Sequence, residues 1–326
     1  MRAVLCKEAT GHEGLVVGDV PAPTLKGPNS VRIEVHAAGL NFADTLVVAG
    51  KYQEKPALPF SPGLECGGVV LETGANVTHV KKGDRVMATT SFGAFAEEVV
   101  TDANEVYAIP DAMDFDTAAS FPVAYGTSHV GLERRAALKR GETLMVHGAA
   151  GGVGLTAVEI GKAMGAVVIA TARGTDKLAI AKAHGADHLI DYVAEDLRAR
   201  VKEIAGDKGV DVIYDPVGGD VFDTSLRCLA WEGRLIVVGF AAGRIPQAPA
   251  NLLLVKNTTV MGLFWGAYRQ RNPQVLRDSF AELLSLYAAG KLKPHISHRF
   301  AIDQAPQAMA AMLERRSTGK VILTIR

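Results

Sequence analysis

The sequence predicts an α/β protein in which a doubly wound parallel-sheet domain is inserted into a β-barrel-like domain. Residues 1–122 read as short strands separated by regular turn signals, which is typical of a small barrel. Residues 123–262 alternate strands with helices, the order that builds a mostly parallel sheet. The last apolar stretch, Val321–Ile325, has no helix after it, so we expect it to return to the first domain. The predicted domains are therefore 1–122 with 263–326, and 123–262.

Within the first domain, individual strands follow from alternation and turn residues. Val31–Ala37 alternates apolar and polar side chains, and Gly83 with Asp84 forms a tight turn that enters a strand. Val106–Ile109 ends at a proline. Helical character begins at Thr117, and Pro122 is predicted to break that helix.

The second domain starts with a strand, a glycine turn, a helix and another strand between Thr143 and Arg173. Read as G-x-G-x-x-G, the turn places Ala149, Gly151 and Gly154 at the three positions, so alanine holds the first. A small-residue turn without a nucleotide is the alternative, and the flanking strand and helix count against it. A helix that opens in this way presents backbone N–H groups to a diphosphate. The predicted cofactor contacts of this turn are Ala150, Gly151, Gly152 and Val153.

The residues after the second strand indicate which nucleotide binds. An acid there holds the ribose 2′-hydroxyl, whereas an arginine suits a 2′-phosphate. Arg173 and Lys177 follow this strand, and Tyr192 follows the next one, which favours NADPH. Two readings stay open beside it: Asp176 turned inward to serve the hydroxyl, and two cations that are only solvated.

Composition excludes several classes of protein. Lys+Arg and Asp+Glu are both 35, so the net charge is zero, and no excess of basic residues indicates nucleic-acid binding. No stretch is long and apolar enough to span a membrane, and no signal-peptide core is visible, which predicts a cytoplasmic protein. The three cysteines are widely separated and the nine histidines show no zinc spacing, so neither a disulfide framework nor a metal site is predicted.

Several segments in a fixed order carry a resemblance that covers essentially the whole chain. They are A-G-L-N-F-A-D at 38–44, G-K-Y at 50–52, P-G-L-E-C-G-G at 62–68, G-D-R-V at 83–86, G-A-A-G-G-V-G at 148–154, Y-D-P-V-G-G at 214–219 and G-L-F-W-G at 262–266. Together they resemble the medium-chain dehydrogenase/reductase superfamily, closest to its zinc-free NADPH:quinone oxidoreductase branch. The resemblance implies a GroES-like catalytic domain, an inserted Rossmann domain and a homodimer.

The same resemblance implies catalysis without a metal. In the zinc alcohol dehydrogenases of the superfamily, a cysteine ligand follows the A-G region and a histidine precedes the glutamate of P-G-H-E. Asn41 and Leu64 stand in these places here. Tyr52 resembles the family's usual hydrogen-bond or proton donor to the acceptor oxygen, and Asn41 the residue whose amide borders nicotinamide and substrate.

Other positions resemble family contacts of the cofactor. They are Thr127, Gly239, Phe240, Phe264, Trp265, Gly266 and Lys320. Structural interpretations compete with some of these roles: Tyr52 as an ordinary loop aromatic and Trp265 as core. Asp44 is interpreted as structural, and His147 as a satisfied interior histidine.

These observations predict an NADPH-dependent, zinc-free oxidoreductase that acts on quinones or other α,β-unsaturated carbonyl compounds. One alternative is an enoyl-thioester reductase, in which Arg134, Arg135, Arg269 and Arg271 grip a phosphate-bearing carrier. Another is a redox-sensing or nucleic-acid-binding protein that keeps the cofactor fold with little catalysis. Zero net charge counts against nucleic acid.

Overall fold

The computed structural model describes all 326 residues, which form two compact units. The first consists of Met1–Ala124 and Pro294–Arg326, and the second of Tyr125–Lys293. The first change of unit falls close to the predicted position after residue 122.

In chain order, the strands are β1 Arg2–Cys6, β2 Leu15–Asp19, β3 Ser30–Leu40, β4 Glu65–Thr73, β5 Arg85–Thr89, β6 Glu98–Asp102, β7 Val106–Ala108, β8 Thr143–Val146, β9 Val167–Ala172, β10 His188–Asp191, β11 Val210–Asp215, β12 Leu229–Val237, β13 Thr259–Gly262, β14 Ile296–Ala301 and β15 Lys320–Thr324. The helices are α1 Phe42–Val48, α2 Phe115–Ser120, α3 Pro122–His129, α4 Gly152–Ala163, α5 Thr175–Ala183, α6 Leu197–Ala205, α7 Gly219–Cys228, α8 Ala250–Leu254, α9 Tyr268–Arg271, α10 Pro273–Ala288 and α11 Ala305–Leu313. A π-helical segment, Val130–Arg135, continues α3.

The first unit is built on a seven-stranded sheet in the order β14-β15-β3-β4-β5-β7, with β6 pairing the other end of β3. The ribbon β1–β2 is separate and antiparallel. The final strand β15 pairs antiparallel with β3, Val321 opposite Leu40, which confirms that the chain returns to its first domain. This register places Lys320, the first residue of β15, next to the end of β3. The core of the unit is made of aliphatic side chains from these strands, with α11 packed against them.

The second unit contains a six-stranded sheet in the order β10-β9-β8-β11-β12-β13, and all neighbours run parallel. Counted from β8, this is the order 3-2-1-4-5-6 of a doubly wound sheet. The predicted fold class is therefore confirmed. In such a sheet the order reverses between β8 and β11, and ligands bind outside the carboxyl ends of the strands at that point.

The second change of unit differs from the prediction. Residues 263–293 were assigned to the GroES-like domain, and the structure places them with the Rossmann unit. Long-range side-chain contacts cause the difference. Ser279 of α10 hydrogen-bonds His129 (Oγ to Nδ1, 2.9 Å), and the Trp265 ring lies against Gly126, where an added Cβ would be 2.7 Å from it. Such contacts join segments that are far apart in the sequence.

The helical break predicted at Pro122 is confirmed. The first helix, α2, ends at Ser120, and Pro122 begins α3, because proline is well suited to the first helical position, where no intrahelical N–H bond is lost. At the end of this unit, β13 extends the same sheet as its edge strand, and Ala250–Leu254 is the short helix α8.

Candidate active site

The glycine turn of the second unit lies at the carboxyl end of β8. Gly148 has a positive φ of 56°, and Gly151 is the extended N-cap residue of α4. A Cβ on Gly154 would lie 2.2 Å from the Gly148 carbonyl oxygen, so this tight turn requires glycine there. The first intrahelical bond runs from Leu155 N–H to Gly151 C=O, 2.8 Å. The N–H groups that precede this bond in the first helical turn have no acceptor within the helix. They can therefore bind an anion such as a diphosphate.

The four predicted turn contacts all lie in this segment. Ala150 is buried, Gly152 and Val153 are half-buried, and Gly151 is exposed. Ser128, next to the predicted cofactor residue Thr127, fastens α3 to this helix start. Its Oγ donates to Val153 C=O at 2.8 Å. Thr127 itself is nearly buried, with 7% exposure.

The residues predicted to read the 2′-phosphate follow two paired strands. Ala172 of β9 is opposite Asp191 of β10, so Arg173 and Tyr192 leave the sheet at neighbouring strand ends, which lie about 5 Å apart in a parallel pair. Arg173 is exposed, and Lys177 lies half-buried in the first turn of α5.

Asp191 fixes the turn that carries Arg173. Its carboxylate accepts the N–H groups of Val193 and Gly174, both at 3.0 Å. The Val193 N–H, with the Gly174 N–H and the charge of Arg173, lowers the pKa of Asp191. The Asp191 carboxylate is therefore occupied by backbone N–H groups at the carboxyl end of β10. Asp176, the acid left open by the sequence, is exposed on α5.

Two further loops follow the carboxyl ends of β11 and β12. Asp215 Oδ1 accepts the N–H groups of Val217 and Gly218 at 2.8 and 2.9 Å, and its Oδ2 is buried without a hydrogen-bond partner. Gly239 packs closely on Pro216, and the following Phe240 is 37% exposed. The order reversal between β8 and β11 is thus bordered by the glycine turn, in which cofactor contacts were predicted, and by the loop after β11, on which Gly239 packs.

The segment 264–266 combines an exposed and a buried aromatic residue. Phe264 is 41% exposed and Gly266 half-buried, whereas Trp265 is 7% exposed. A Cβ on Gly126 would lie 2.7 Å from the indole ring of Trp265, so that glycine makes room for it. The contacts of Trp265 with Gly126 and Phe280 agree with the core interpretation of this residue. Its indole N–H is buried without a hydrogen-bond partner.

In the first unit, the predicted catalytic residue Asn41 belongs to a buried polar cluster. Its amide Nδ2 donates to Glu65 Oε1 at 2.7 Å, and its Oδ1 accepts from Lys320 Nζ at 2.8 Å. Its backbone N–H donates to Asp44 Oδ2 at 2.8 Å, in the first turn of α1. We refer to Asn41, Asp44, Glu65 and Lys320 as the polar cluster.

Lys320 was predicted to contact the cofactor or a phosphate, and in the structure its ammonium group is engaged by groups of the first unit. Its Nζ donates to Leu40 C=O at 2.7 Å, to Asn41 Oδ1 at 2.8 Å and to Glu65 Oε1 at 2.6 Å. An ammonium group has three protons, so all are used within the first unit. The side chain is 6% exposed.

Glu65 is the acceptor at the centre of the polar cluster. Its Oε2 accepts the Val123 N–H at 2.8 Å, while Oε1 serves Asn41 and Lys320. A Cβ on Gly39 would lie 2.7 Å from Oε1 and 2.2 Å from the Ala119 carbonyl oxygen. Glycine at position 39 therefore allows this buried carboxylate to be placed here.

Asp44 is structural in the sense that the sequence predicted, since its carboxylate holds the start of α1. Burial raises its pKa from 3.8 to about 7. The Asn41 N–H and the charge of Lys320 act in the opposite direction. Its charge therefore changes near neutral pH.

Tyr52 lies outside the polar cluster, in the irregular segment that follows α1. This segment, residues 51–64, contains no helix or strand, and Tyr52 is half-buried there. The loop position suits a side chain that meets a ligand.

His147, at the carboxyl end of β8, is fully buried and has partners for both ring nitrogens. Thr171 Oγ1 and Ser225 Oγ each lie 2.7 Å away. Burial lowers the pKa of this imidazole, so the neutral form is favoured. The contacts agree with a satisfied interior histidine.

Comparisons with known proteins place the chain in a family. A model described as "Alcohol dehydrogenase GroES-like domain" matches residues 27–111, and one described as "Zinc-binding dehydrogenase" matches residues 152–285. The quinone oxidoreductase-like protein 2 homolog of Nematostella vectensis is 44% identical over 328 residues, covering 100% of this chain and 89% of the relative. The chain belongs to the medium-chain dehydrogenase/reductase superfamily, in its quinone oxidoreductase branch.

Solved structures of this superfamily have the same fold. The quinone oxidoreductase of Escherichia coli complexed with NADPH superposes with a TM-score of 0.92 at 32% identity, covering 100% of both chains. The CurK enoyl reductase superposes with a TM-score of 0.91 at 25% identity, covering 100% of this chain and 99% of that one. This medium-chain oxidoreductase therefore has relatives described for two kinds of acceptor.

The donor set of this medium-chain oxidoreductase differs from that of a zinc site. Nowhere in the chain do three or more His, Cys, Asp or Glu side chains come together in a way that suits a metal ion. Cys66 lies beside Glu65, and burial raises the pKa of its thiol to about 12. None of its helices is long and apolar enough to cross a membrane.

Sequence reasoning missed three acids of this medium-chain oxidoreductase. Glu65 and Asp215 stand inside segments that carry the family resemblance, so their motifs contained a signal. The sequence around Asp191 contained no such signal, because an acidic residue at the end of a strand is common. What distinguishes all three is their hydrogen bonding to distant or backbone groups.

Proposed function

We propose that this chain is an NADPH-dependent oxidoreductase that transfers a hydride to a quinone or another α,β-unsaturated carbonyl compound. The observation that carries the proposal is the nucleotide edge of the second unit. There Arg173 and Tyr192 leave paired strands, and Lys177 lies on the helix that follows Arg173. The NADPH complex of the related Escherichia coli enzyme supports the choice of nucleotide.

The residues present fit a dinucleotide. The space that a Cβ at Gly154 would fill is occupied by the backbone of the turn, which brings the start of α4 close to any bound diphosphate. In the proposal, the N–H groups of residues 150–153 hold the diphosphate, and Arg173, Lys177 and Tyr192 hold the 2′-phosphate. The bound nucleotide supplies the hydride.

The first unit supplies polar groups for the acceptor. Reduction of a conjugated carbonyl leaves negative charge on its oxygen, and a phenol hydroxyl donates a hydrogen bond to such an oxygen at neutral pH. We assign this role to Tyr52 and a contact with the nicotinamide or substrate to Asn41. The positions of the zinc ligands in related alcohol dehydrogenases hold Asn41 and Leu64, which offer neither a thiolate nor an imidazole.

An acceptor panel tests the proposal. Purified protein is mixed with NADPH and either 1,4-naphthoquinone or a simple enone, with and without a chelator, and NADPH oxidation is followed by absorbance. We expect turnover that the chelator does not change and that is faster with NADPH than with NADH. Tight NADPH binding without oxidation by any acceptor would instead favour a redox sensor.

A second candidate, an enoyl-thioester reductase, is favoured by the similarity to the CurK enoyl reductase. Four arginines of the second unit suit a phosphate-bearing carrier: Arg134 and Arg135 in the π-helical segment, and Arg269 and Arg271 in α9. Crotonyl-CoA in the same panel separates the two. Turnover much faster than with any quinone would support this second candidate.

A cytoplasmic homodimer completes the proposal. The superfamily resemblance implies a dimer, β13 is an edge strand of its sheet, and the side chains of Leu254 and Val255 are exposed in the same unit. Light scattering on purified protein measures the mass in solution. Fractionation of cells that express the tagged chain tests the location.

A further inference from the structure

Within the polar cluster of the first unit, Lys320 and Glu65 are engaged by protein groups, whereas the Asn41 amide keeps hydrogen-bonding capacity. All three protons of Lys320 are donated, and both oxygens of Glu65 accept at least one bond. Asn41 has two N–H groups and two lone pairs. One N–H and one lone pair are used at short distance, and the second contact of Nδ2, to Gly39 C=O, is long at 3.5 Å. Asn41 therefore keeps hydrogen-bonding capacity, and at 9% it is the most exposed member of the cluster.

The two charges decide which way this amide faces. Lys320 Nζ lies 2.8 Å from the amide oxygen, and Glu65 Oε1 lies 2.7 Å from the amide nitrogen. Rotating the amide by a half turn would place its N–H groups against the ammonium and its oxygen against the carboxylate. Both contacts would be repulsive, and repulsion between polar groups is strong where side chains are as buried as Lys320 and Glu65.

Strand pairing brings the two charges to the amide from opposite sides. Leu40 is opposite Val321 in the β3–β15 pair, and Ala38 is opposite Cys66 in the β3–β4 pair. Lys320 and Glu65, each one residue away from a paired position, thus meet at the end of β3. Asn41 is the next residue after that strand.

We infer that Glu65 and Lys320 are positioning residues, which act on the reaction by holding the Asn41 amide in a single orientation. The inference rests on the proposed function, since it assigns Asn41 a contact with the nicotinamide or the acceptor. The ion pair thus has a role in turnover besides its role in folding. A purely structural ion pair would affect the stability of the enzyme and not the kcat of its folded fraction.

A double-mutant cycle tests the inference. The variants are Asn41→Ala, the neutral pair Glu65→Gln with Lys320→Met, and the combination of all three. Turnover with NADPH and the best acceptor of the panel is measured per folded molecule, and thermal unfolding is recorded for each. We expect Asn41→Ala and the neutral pair each to lower kcat about tenfold. The kcat of the triple variant should lie within about twofold of the lower of these two values, because the two changes remove the same effect.

Two further variants make the cycle decisive. Lys320→Arg keeps the cation and is expected to retain kcat within about threefold. Lys81→Met removes an exposed ion pair with Asp84 in the same unit and is expected to leave kcat unchanged. If the neutral pair does not fold, Glu65→Gln alone takes its place in the cycle.

The outcomes separate the inference from the proposed function. Losses that multiply in the triple variant, or a neutral pair with wild-type kcat, overturn the inference while the proposed function stands. A wild-type enzyme that oxidises no NADPH with any acceptor overturns both.

Discussion

The Lys320 ammonium and the Glu65 carboxylate form an ion pair of 2.6 Å with side-chain exposures of 6% and 0%. Two charges at this depth lose their hydration, and the loss is offset only if every proton and lone pair finds a partner. Here the partners come from four separate parts of the chain: Leu40 and Asn41, Glu65, Val123 and Lys320. The pair therefore depends on the complete fold of the first unit.

Replacing Lys320 by methionine should destabilise the protein strongly. The Glu65 carboxylate would remain buried without its cation, a change that costs about 3–5 kcal/mol in proteins. Urea unfolding gives the free energy of unfolding. Lys81→Met is the matched control, because the Lys81 side chain is 84% exposed and such pairs contribute only about 0–1 kcal/mol. Equal losses in the two variants would contradict the description of the pair as buried and essential to the fold.

Asp44 should make the stability depend on pH near neutrality. Its folded pKa of about 7 lies above the ordinary value of 3.8, so the folded state binds the proton more tightly than the unfolded state. The stability that protonation contributes is present in full below about pH 4 and is lost as the pH rises through about 7. Asp44→Asn does not titrate. Relative to wild type, this variant should therefore gain stability as the pH rises from about 4 to about 7, as measured by urea unfolding.

Asp84 provides a control with the opposite sign. A hydrogen bond from the Lys81 side chain lowers the pKa of Asp84. The ionised Asp84 carboxylate therefore contributes stability at neutral pH, and this contribution is lost as the pH falls through the folded pKa. The free energy of unfolding of Asp84→Asn should accordingly fall relative to that of the wild type as the pH rises through the folded pKa of Asp84. A flat pH profile for the Asp44→Asn difference would show that the carboxyl is ionised throughout.

The part of the site that follows from local sequence was predictable. Gly148–Gly154 lies between a strand and a helix, and its geometry depends on residues within one turn of each other. Arg173 and Tyr192 follow from strand ends, because parallel neighbours finish at the same edge of a sheet. For these groups, spacing along the chain fixes position in space.

The rest depended on pairing that the sequence does not display. Lys320, which follows Gly319, was interpreted as a candidate contact of the cofactor or a phosphate. Its partner Glu65 is 255 residues away, and only the register of β15, β3 and β4 brings them together. The second domain boundary was misplaced for the same reason, since the packing of α10 on the π-helical segment joins residues far apart in sequence.

Gly154→Ala should weaken NADPH binding by at least about tenfold. The added Cβ would meet the Gly148 carbonyl oxygen at 2.2 Å, so the turn must open and the first helical N–H groups move away from the diphosphate. Each charge-assisted hydrogen bond lost contributes about 1.5–3 kcal/mol. Fluorescence titration gives the Kd, and circular dichroism checks the fold. Gly262→Ala is the control, since nothing lies within 4 Å of a Cβ there. A Kd unchanged by Gly154→Ala would remove the turn from the nucleotide site.

Arg173→Ala should raise the KM for NADPH about tenfold and leave that for NADH within about twofold. A charge-assisted bond to a phosphate contributes about 1.5–3 kcal/mol, and the exposure of Arg173 reduces this through solvent screening. Steady-state kinetics with both nucleotides give the ratio. Arg198→Ala, an exposed arginine of α6, controls for the loss of a positive charge. If both nucleotides are affected equally, Arg173 does not read the 2′-phosphate.

Tyr52→Phe removes only the hydroxyl that we assign to the acceptor oxygen. A positioned acid contributes about 10²–10⁴-fold, so kcat with an enone should fall by at least about a hundredfold. The fall should be smaller with a quinone, because its two-electron reduction product spreads the charge over an aromatic ring and depends less on a single donor. NADPH binding, which the second unit provides in our proposal, should change little. The comparison therefore needs three measurements: kcat with each acceptor and the Kd for NADPH.

Tyr107→Phe serves as the matched control for Tyr52→Phe. Its hydroxyl donates to the Asn104 carbonyl in the same unit, so losing it alters a structural bond and should leave kcat unchanged. Equal kcat for the Tyr52→Phe variant and the wild type with both acceptors would make Tyr52 an ordinary loop residue. The proton would then come from solvent in both proteins, and the solvent isotope effect on the rate with enones should be the same for the Tyr52→Phe variant and the wild type. A hundredfold loss of kcat with the enone alone would instead show that the Tyr52 hydroxyl assists the acceptor whose oxygen charge is most localised.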